Sequence, residues 1–233
     1  MRLGILRTGG PPPELMQFGS YPDMFRAWLG PDAFDYAEYD VEAGQLPASP
    51  EECPAYLVTG SRADAYGDER WVCELRASLV AAKGKARLLG ICFGHQVMAQ
   101  AFGGRVAKAD EGWGIGAHTY ETEADAAFGG GATMTLPASH QDQVVVAPSG
   151  AKIVAGSAFS PIGALSYPGQ HALSLQLHPE FTCAFAAALV ERQRGHGIDD
   201  AAADAALASL DQPNDSALAA TAARDFLSGR RAV

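Results

Sequence analysis

The stretch Leu88-Leu-Gly-Ile-Cys-Phe-Gly-His-Gln96 carries a cysteine at the end of an apolar run and continues into helix-forming residues. Gly90 and Gly94, two positions either side of Cys92, permit a sharp strand-to-helix turn, as the glycines do around a serine nucleophile in Gly-x-Ser-x-Gly. A thiol at a helix N-terminus sits at the positive end of the helix dipole, which favours the nucleophilic thiolate. Most free cysteines are small packing residues. The strand, paired glycines and helix together favour the nucleophile reading for Cys92, whereas Cys53, Cys73 and Cys183 lack that setting and are read as structural.

A cysteine nucleophile needs a base, and the base needs a third group to fix its tautomer. His178 follows the apolar run Ala172-Leu-Ser-Leu-Gln-Leu177 and precedes Pro179 and Glu180. Imidazole and carboxylate therefore stand together at the end of another expected strand, with proline stiffening the link. The oxyanion formed when a thiolate attacks a carbonyl needs preorganised N–H donors. By the elbow geometry the amide of Phe93, directly after the nucleophile, is one of them. Gln96 lies one helical turn beyond Cys92 and faces the same pocket, while His95 fits a structural hydrogen bond.

Gly90-Ile-Cys-Phe-Gly-His-Gln96 with Leu177-His-Pro-Glu180 resembles the class I, triad-type glutamine amidotransferases, and most closely the stand-alone members similar to the amidotransferase portion of GMP synthase. Thr59-Gly60-Ser61 falls where that family carries its oxyanion strand, and Ser139-His-Gln-Asp-Gln-Val144 also matches. The resemblance implies that Cys92 attacks a γ-carboxamide to give a thioester, that His178 is the general base and acid, and that Glu180 orients it. It further implies a second oxyanion donor from the Gly60 loop, substrate contact by Gln96, and His140 and Asp142 at the site's mouth. No cofactor or metal is implied.

The loop Thr59-Gly-Ser-Arg-Ala-Asp64 departs from the family's Gly-Gly-Pro pattern, so its fit to glutamine stays open. Three functions follow. The first is glutamine hydrolysis with ammonia passed to a separate synthetase subunit, since no phosphate-cradling loop accompanies the site. The second is a γ-glutamyl peptidase or hydrolase acting on small peptides or conjugates. The third is a non-catalytic binding or regulatory module on the same fold.

The elements that must position these residues read as an α/β fold. Apolar strands are expected at 2–6, 55–59 and 87–91, and helices at 21–29, 70–83 and 96–102, an alternation that indicates a parallel sheet with helices on its faces. From 105 to 177 short strands separated by turns, near 114–119, 133–136, 143–147, 152–155, 162–167 and 172–177, indicate antiparallel or mixed sheet. Helices follow at 181–192, 200–210 and 216–228. The expected architecture is a three-layer sandwich around a mostly parallel, flavodoxin-like sheet, plus a smaller antiparallel sheet. Residues 1–233 form a single domain with C-terminal helices, about 199–230, packed on it.

Composition narrows the partners. Seventeen Lys and Arg against 27 Asp and Glu give a net charge of −10, a field that repels a phosphate backbone, and no basic stripe is present. No apolar run approaches the ~20 residues of a membrane span, and the N-terminus has no signal-like stretch. The six histidines and four cysteines lack zinc-ligand spacing. The expectation is a cytoplasmic protein acting on a small molecule, without nucleic acid, membrane or metal.

Overall fold

The computed structural model describes residues 1–123, 128 and 131–231. Its strands are β1 (Arg2–Arg7), β2 (Asp35–Asp40), β3 (Ala55–Val58), β4 (Arg87–Ile91), β5 (Arg105–Lys108), β6 (Gly114–Thr122), β7 (Thr133–His140), β8 (Asp142–Val146), β9 (Lys152–Gly156), β10 (Ala164–Tyr167) and β11 (Ala172–Leu175). Its helices are α1 (Tyr21–Leu29), α2 (Arg70–Ala82), α3 (Phe93–Ala101), α4 (Cys183–Gln193), α5 (Asp200–Ser209) and α6 (Ser216–Leu227). A 3-10 strap, Pro13–Phe18, precedes α1. Among the described residues no helix is long and apolar enough to cross a membrane.

Nine strands form one sheet in the order β2-β1-β3-β4-β11-β10-β9-β6-β7. The first five are mutually parallel. Their order is that of a flavodoxin-like sheet, with β11 supplying the fifth strand, so a ligand is expected beyond the strands' carboxyl ends. Strands β10, β9, β6 and β7 extend the same sheet in antiparallel fashion. Among the described residues, the separate antiparallel sheet is the β5-β8 pair. The antiparallel strands thus mostly continue the main sheet, and β5 is a strand that the apolar pattern did not announce, because only Val106 of its four residues is buried.

The inner parallel strands β1, β3, β4 and β11 are largely apolar because both faces are covered, whereas the edge strand β2 is polar. Leu3, Ile5, Leu57, Leu89, Leu173 and Leu175 pack with Phe25 and Leu29 of α1 and with Phe226 and Leu227 of α6. On the other face Leu6, Tyr56, Val58 and Leu88 meet Val72, Leu75 and Leu79 of α2 and Val97 and Met98 of α3. The result is the three-layer arrangement, with α6 returning to the α1 side.

Helix ends follow local chemistry. Ser20 and Asp23 form a reciprocal capping box at α1, and Thr182 and Asp199 cap α4 and α5 through side-chain oxygens. At the sheet's β7 edge, Thr135 donates its N–H to Asp215 Oδ2 at 2.7 Å and accepts from the Asp215 N–H at 2.9 Å. The residue that opens α6 therefore substitutes for a missing neighbour strand.

Candidate active site

The loops after β1, β3, β4 and β11 meet at the carboxyl end of the parallel sheet. Cys92 joins β4 to α3 with φ 53° and ψ −106°, a conformation rare for a residue with a side chain. Two bonds hold it there: its N–H donates to Leu175 O at 2.8 Å, and its carbonyl accepts the first helical bond, from Gln96 N at 3.0 Å. Both flanking glycines are required sterically. A Cβ on Gly90 would overlap the Gly94 backbone and Met98, and one on Gly94 would overlap the Val58 carbonyl. The Sγ of Cys92 lies 4.0 Å from Ser139 O, and Phe93 contributes one of the helix's orphan N–H groups beside it.

His178 Nδ1 bonds Glu180 Oε1 at 2.7 Å, with both side chains almost wholly buried. Its backbone N–H donates to Pro137 O at 2.8 Å, fixing the segment to β7. The ring stacks on Phe181 with centroids 3.9 Å apart and planes 5° from parallel, and Phe181 is braced edge-on by Phe185. Burial pushes the imidazole toward the neutral form. The Glu180 carboxylate first, and then the nearby Cys92, outweigh it and raise the pKa of His178 to about 10. The arrangement can hold a thiolate–imidazolium pair and can move a proton at Nε2, the ring nitrogen that Glu180 leaves free.

Gly60 lies against both: a Cβ there would stand 3.1 Å from His178 Cε1 and 4.0 Å from Cys92 Cβ. The loop is anchored from behind by two buried threonines. Thr8 N–H donates to Thr59 Oγ1 at 3.0 Å, Thr59 Oγ1 lies 3.1 Å from Gly60 O, and Thr8 Oγ1 lies 3.0 Å from Thr59 O and 3.2 Å from Gly60 O. With the Gly60 carbonyl held by these hydroxyls, the planar trans peptide directs the Ser61 N–H the opposite way.

A pocket of about 380 Å³ opens from these groups and is lined by Gly60, Cys92, Gln96, Ser139, His140 and His178. Gln96 Nε2 donates to Asp142 O at 2.8 Å and Gln176 Oε1 at 3.1 Å. His140 closes the β7-β8 turn, its Nδ1 3.2 Å from Asp142 O, and its Nε2 has no hydrogen-bond partner among the described residues. Burial, reinforced by His118 and His178, lowers the pKa of His140 to about 3 and keeps it neutral. His95 does not reach the pocket: it is buried, with Nδ1 2.8 Å from Ser174 Oγ and Nε2 3.1 Å from Ile162 O, and desolvation lowers its pKa to about 4. Phe93 is fully buried, its ring packs against Trp71, and it does not line the pocket.

The far walls were not marked by sequence. Tyr21, which helical spacing places in the core with Phe25 and Trp28, is buried but also lines the pocket, as do Arg62, Trp113, Leu189 and Arg192. No short motif links these scattered positions. Phe181 alone carried a signal, being adjacent to His-Pro-Glu. Of the remaining cysteines, Cys53 is buried and Cys73 and Cys183 are exposed, all as free thiols.

Known proteins share this architecture. The solved glutamine amidotransferase of Thermotoga maritima is similar over 98% of this chain and 97% of that one, with a TM-score of 0.73 at 20% identity, which speaks for the fold alone. In sequence, the chain is 31% identical to gamma-glutamyl peptidase 5 of Arabidopsis thaliana over 70% of its own length and 69% of the plant protein. It is 32% identical to the GMP synthase of Syntrophomonas wolfei over 61% of its own length but only 27% of the synthase. The family model Glutamine amidotransferase class-I matches residues 65–192, more than half of the chain and a span that includes Cys92, His178 and Glu180. The chain therefore belongs to the class-I glutamine amidotransferase family.

Proposed function

We propose that the protein cleaves the γ-glutamyl amide bond of small peptides or conjugates through a thioester on Cys92. The observation that carries this reading is the reach of the pocket. It runs past Cys92 and His178 to Trp113, Leu189 and Arg192, and its ~380 Å³ lies within the range of about 300–1,000 Å³ of small-molecule sites. A leaving group bulkier than ammonia has room there. The similarity to a gamma-glutamyl peptidase over most of the chain supports the same reading.

The chemistry divides into two balanced halves. The Cys92 thiolate attacks the γ-carbonyl carbon, a C–S bond forms, and the carbonyl oxygen takes the electron pair as an oxyanion facing the Phe93 N–H and the Gly60-Ser61 loop. When the intermediate collapses, the C–N bond breaks and the leaving amine takes the Nε2 proton of His178. Water then attacks the thioester, giving its proton to His178 Nε2, and C–S cleavage restores thiolate and imidazolium while glutamate departs. Glu180 keeps Nδ1 protonated throughout. Gln96 and His140 help hold the glutamyl portion.

Glutamine hydrolysis with ammonia delivered to a separate synthetase is the second reading, favoured by the similarity to GMP synthase. Kinetics of the purified protein on glutamine and on γ-glutamyl dipeptides separate the two. The expected result is a kcat/KM at least about tenfold higher for a dipeptide, with an acid-stable glutamyl adduct that disappears in Cys92→Ala. Turnover of glutamine alone would replace the proposal with the second reading. Inertness toward both, with no adduct, would leave only a binding or regulatory module.

A further inference from the structure

The leaving amine must lie against His178, the group that protonates it, so the walls that continue from His178 contact the rest of the leaving group. Those walls are Phe181, stacked on the histidine, then Leu189 and Arg192 of α4, facing Pro12 and Tyr21 from the strap side. Among the described residues Arg192 has one hydrogen-bond partner: its Nε donates to Glu14 Oε1 of the strap at 2.6 Å. A guanidinium carries five N–H donors in a rigid fork, so this tie orients the group and leaves its Nη edge available. Arg62 also lines the pocket, its charge reaches the same Glu14 carboxylate, and no ion pair holds it among the described residues. Arg62 and Arg192 bring positive charge to a mouth that Asp64 and Asp142 also line, in a chain of net charge −10.

Building on the proposed γ-glutamyl cleavage, we infer that Arg192, oriented by Glu14 and assisted by Arg62, forms a subsite for a carboxylate on the leaving group. The preferred donors are then γ-glutamyl amides of amino acids or short peptides rather than of neutral amines. Phe181 and Leu189 supply the apolar floor between the scissile nitrogen and that carboxylate, and the Nη edge of Arg192 matches a carboxylate in the planar, charge-assisted manner.

A matched set of donors tests this: γ-glutamylalanine, γ-glutamylethylamide, which differs only by the missing carboxylate, and glutamine. Wild-type protein is expected to favour γ-glutamylalanine over the ethylamide roughly tenfold to hundredfold in kcat/KM, the scale of one hydrogen bond to a charged group. Arg192→Gln should remove most of that preference, chiefly by raising KM for γ-glutamylalanine, with a several-fold smaller change on the other two. Arg192→Lys, which keeps the charge but not the fork, should recover part of it. The inference is overturned if the wild type does not discriminate within the matched pair, or if Arg192→Gln slows all three donors equally. A wild type that hydrolyses only glutamine overturns the γ-glutamyl peptidase reading itself, an outcome distinct from both.

Discussion

Burial works against a charged His178, while Glu180 and Cys92 work for it, and the balance leaves the imidazole protonated well past neutrality, to about 10. An imidazolium beside the Cys92 sulfur favours attack by that sulfur. Iodoacetamide labelling mapped by mass spectrometry is therefore expected to find Cys92 modified before the exposed Cys73 and Cys183 at pH 6–7, despite its 5% exposure. Glu180→Gln removes the largest contribution that raises His178, so the pH at which the imidazolium is lost should move down. On turnover, His178→Ala is expected to cost about a thousandfold, the middle of the range for general acid–base catalysis, and Glu180→Gln distinctly less. Equal losses would mean that the pair acts as one unit. The Thr8 and Thr59 hydroxyls suggest a further test, because they anchor the carbonyl of a loop lacking the second glycine and proline common in its family. Thr8→Val should lower kcat about tenfold, a fraction of the hundredfold or more lost with a whole oxyanion donor. KM and Cys92 labelling should hold, and Thr8→Ser should restore the rate. Gly60→Val is a poorer probe, since its side chain would press on His178 as well as on the loop.

At the scale of elements, the site depends on how closely α3 approaches β3. Gly94 touches the Val58 carbonyl, and any Cβ there must push the helix, and Cys92 at its start, away from the sheet. Gly94→Ala is expected to destabilise by about 1–3 kcal/mol, the usual cost of overpacking, and to slow Cys92 labelling, as urea titration and labelling rates would show. The β7 edge is held by Asp215, which accepts the Thr135 N–H. Asp215→Ala leaves that donor unpaired, with an expected cost of about 1–3 kcal/mol in urea unfolding. Most elements were legible because their own residues specify them: α1 lies at 21–29 as its apolar spacing and Gly30 stop indicate. Strand β7, expected only over 133–136, runs to His140 because pairing with β6 carries it through Pro137, which is tolerated on an edge strand. Pairing partners, rather than local composition, set that end.

For the whole molecule, the buried histidines make stability depend on pH in both directions. His95 and His140 have folded pKa values lowered to about 4 and 3, so below about 6.5 the unfolded chain binds protons that the folded form refuses. Stability should fall as the pH drops through that window. His178 is raised instead: its contribution is complete below about 6.5 and is lost as the pH climbs toward 10. Urea unfolding should thus show a maximum near neutrality, with the alkaline limb flattened in Glu180→Gln. An unchanged alkaline limb would contradict the role assigned to the His178–Glu180 pair.

The sequence by itself determined the two-sided apolar strands, their alternation with helices and the elbow around Cys92, because each of these is written in contiguous residues whose propensity and spacing act locally. It also brought His178 and Glu180 into view, since both follow one strand at a fixed offset. Only the tertiary structure decided which distant segments meet that elbow. Thr8 and Gly60 are joined by a hydrogen bond between two strand ends, Phe181 gains its role by stacking on an imidazole, and Arg192 reaches Glu14 across 178 positions of sequence. No periodicity encodes such meetings. They arise because sheet order and helix packing bring the strand ends together, and the far walls of the pocket consist almost wholly of residues whose neighbours are remote in the chain.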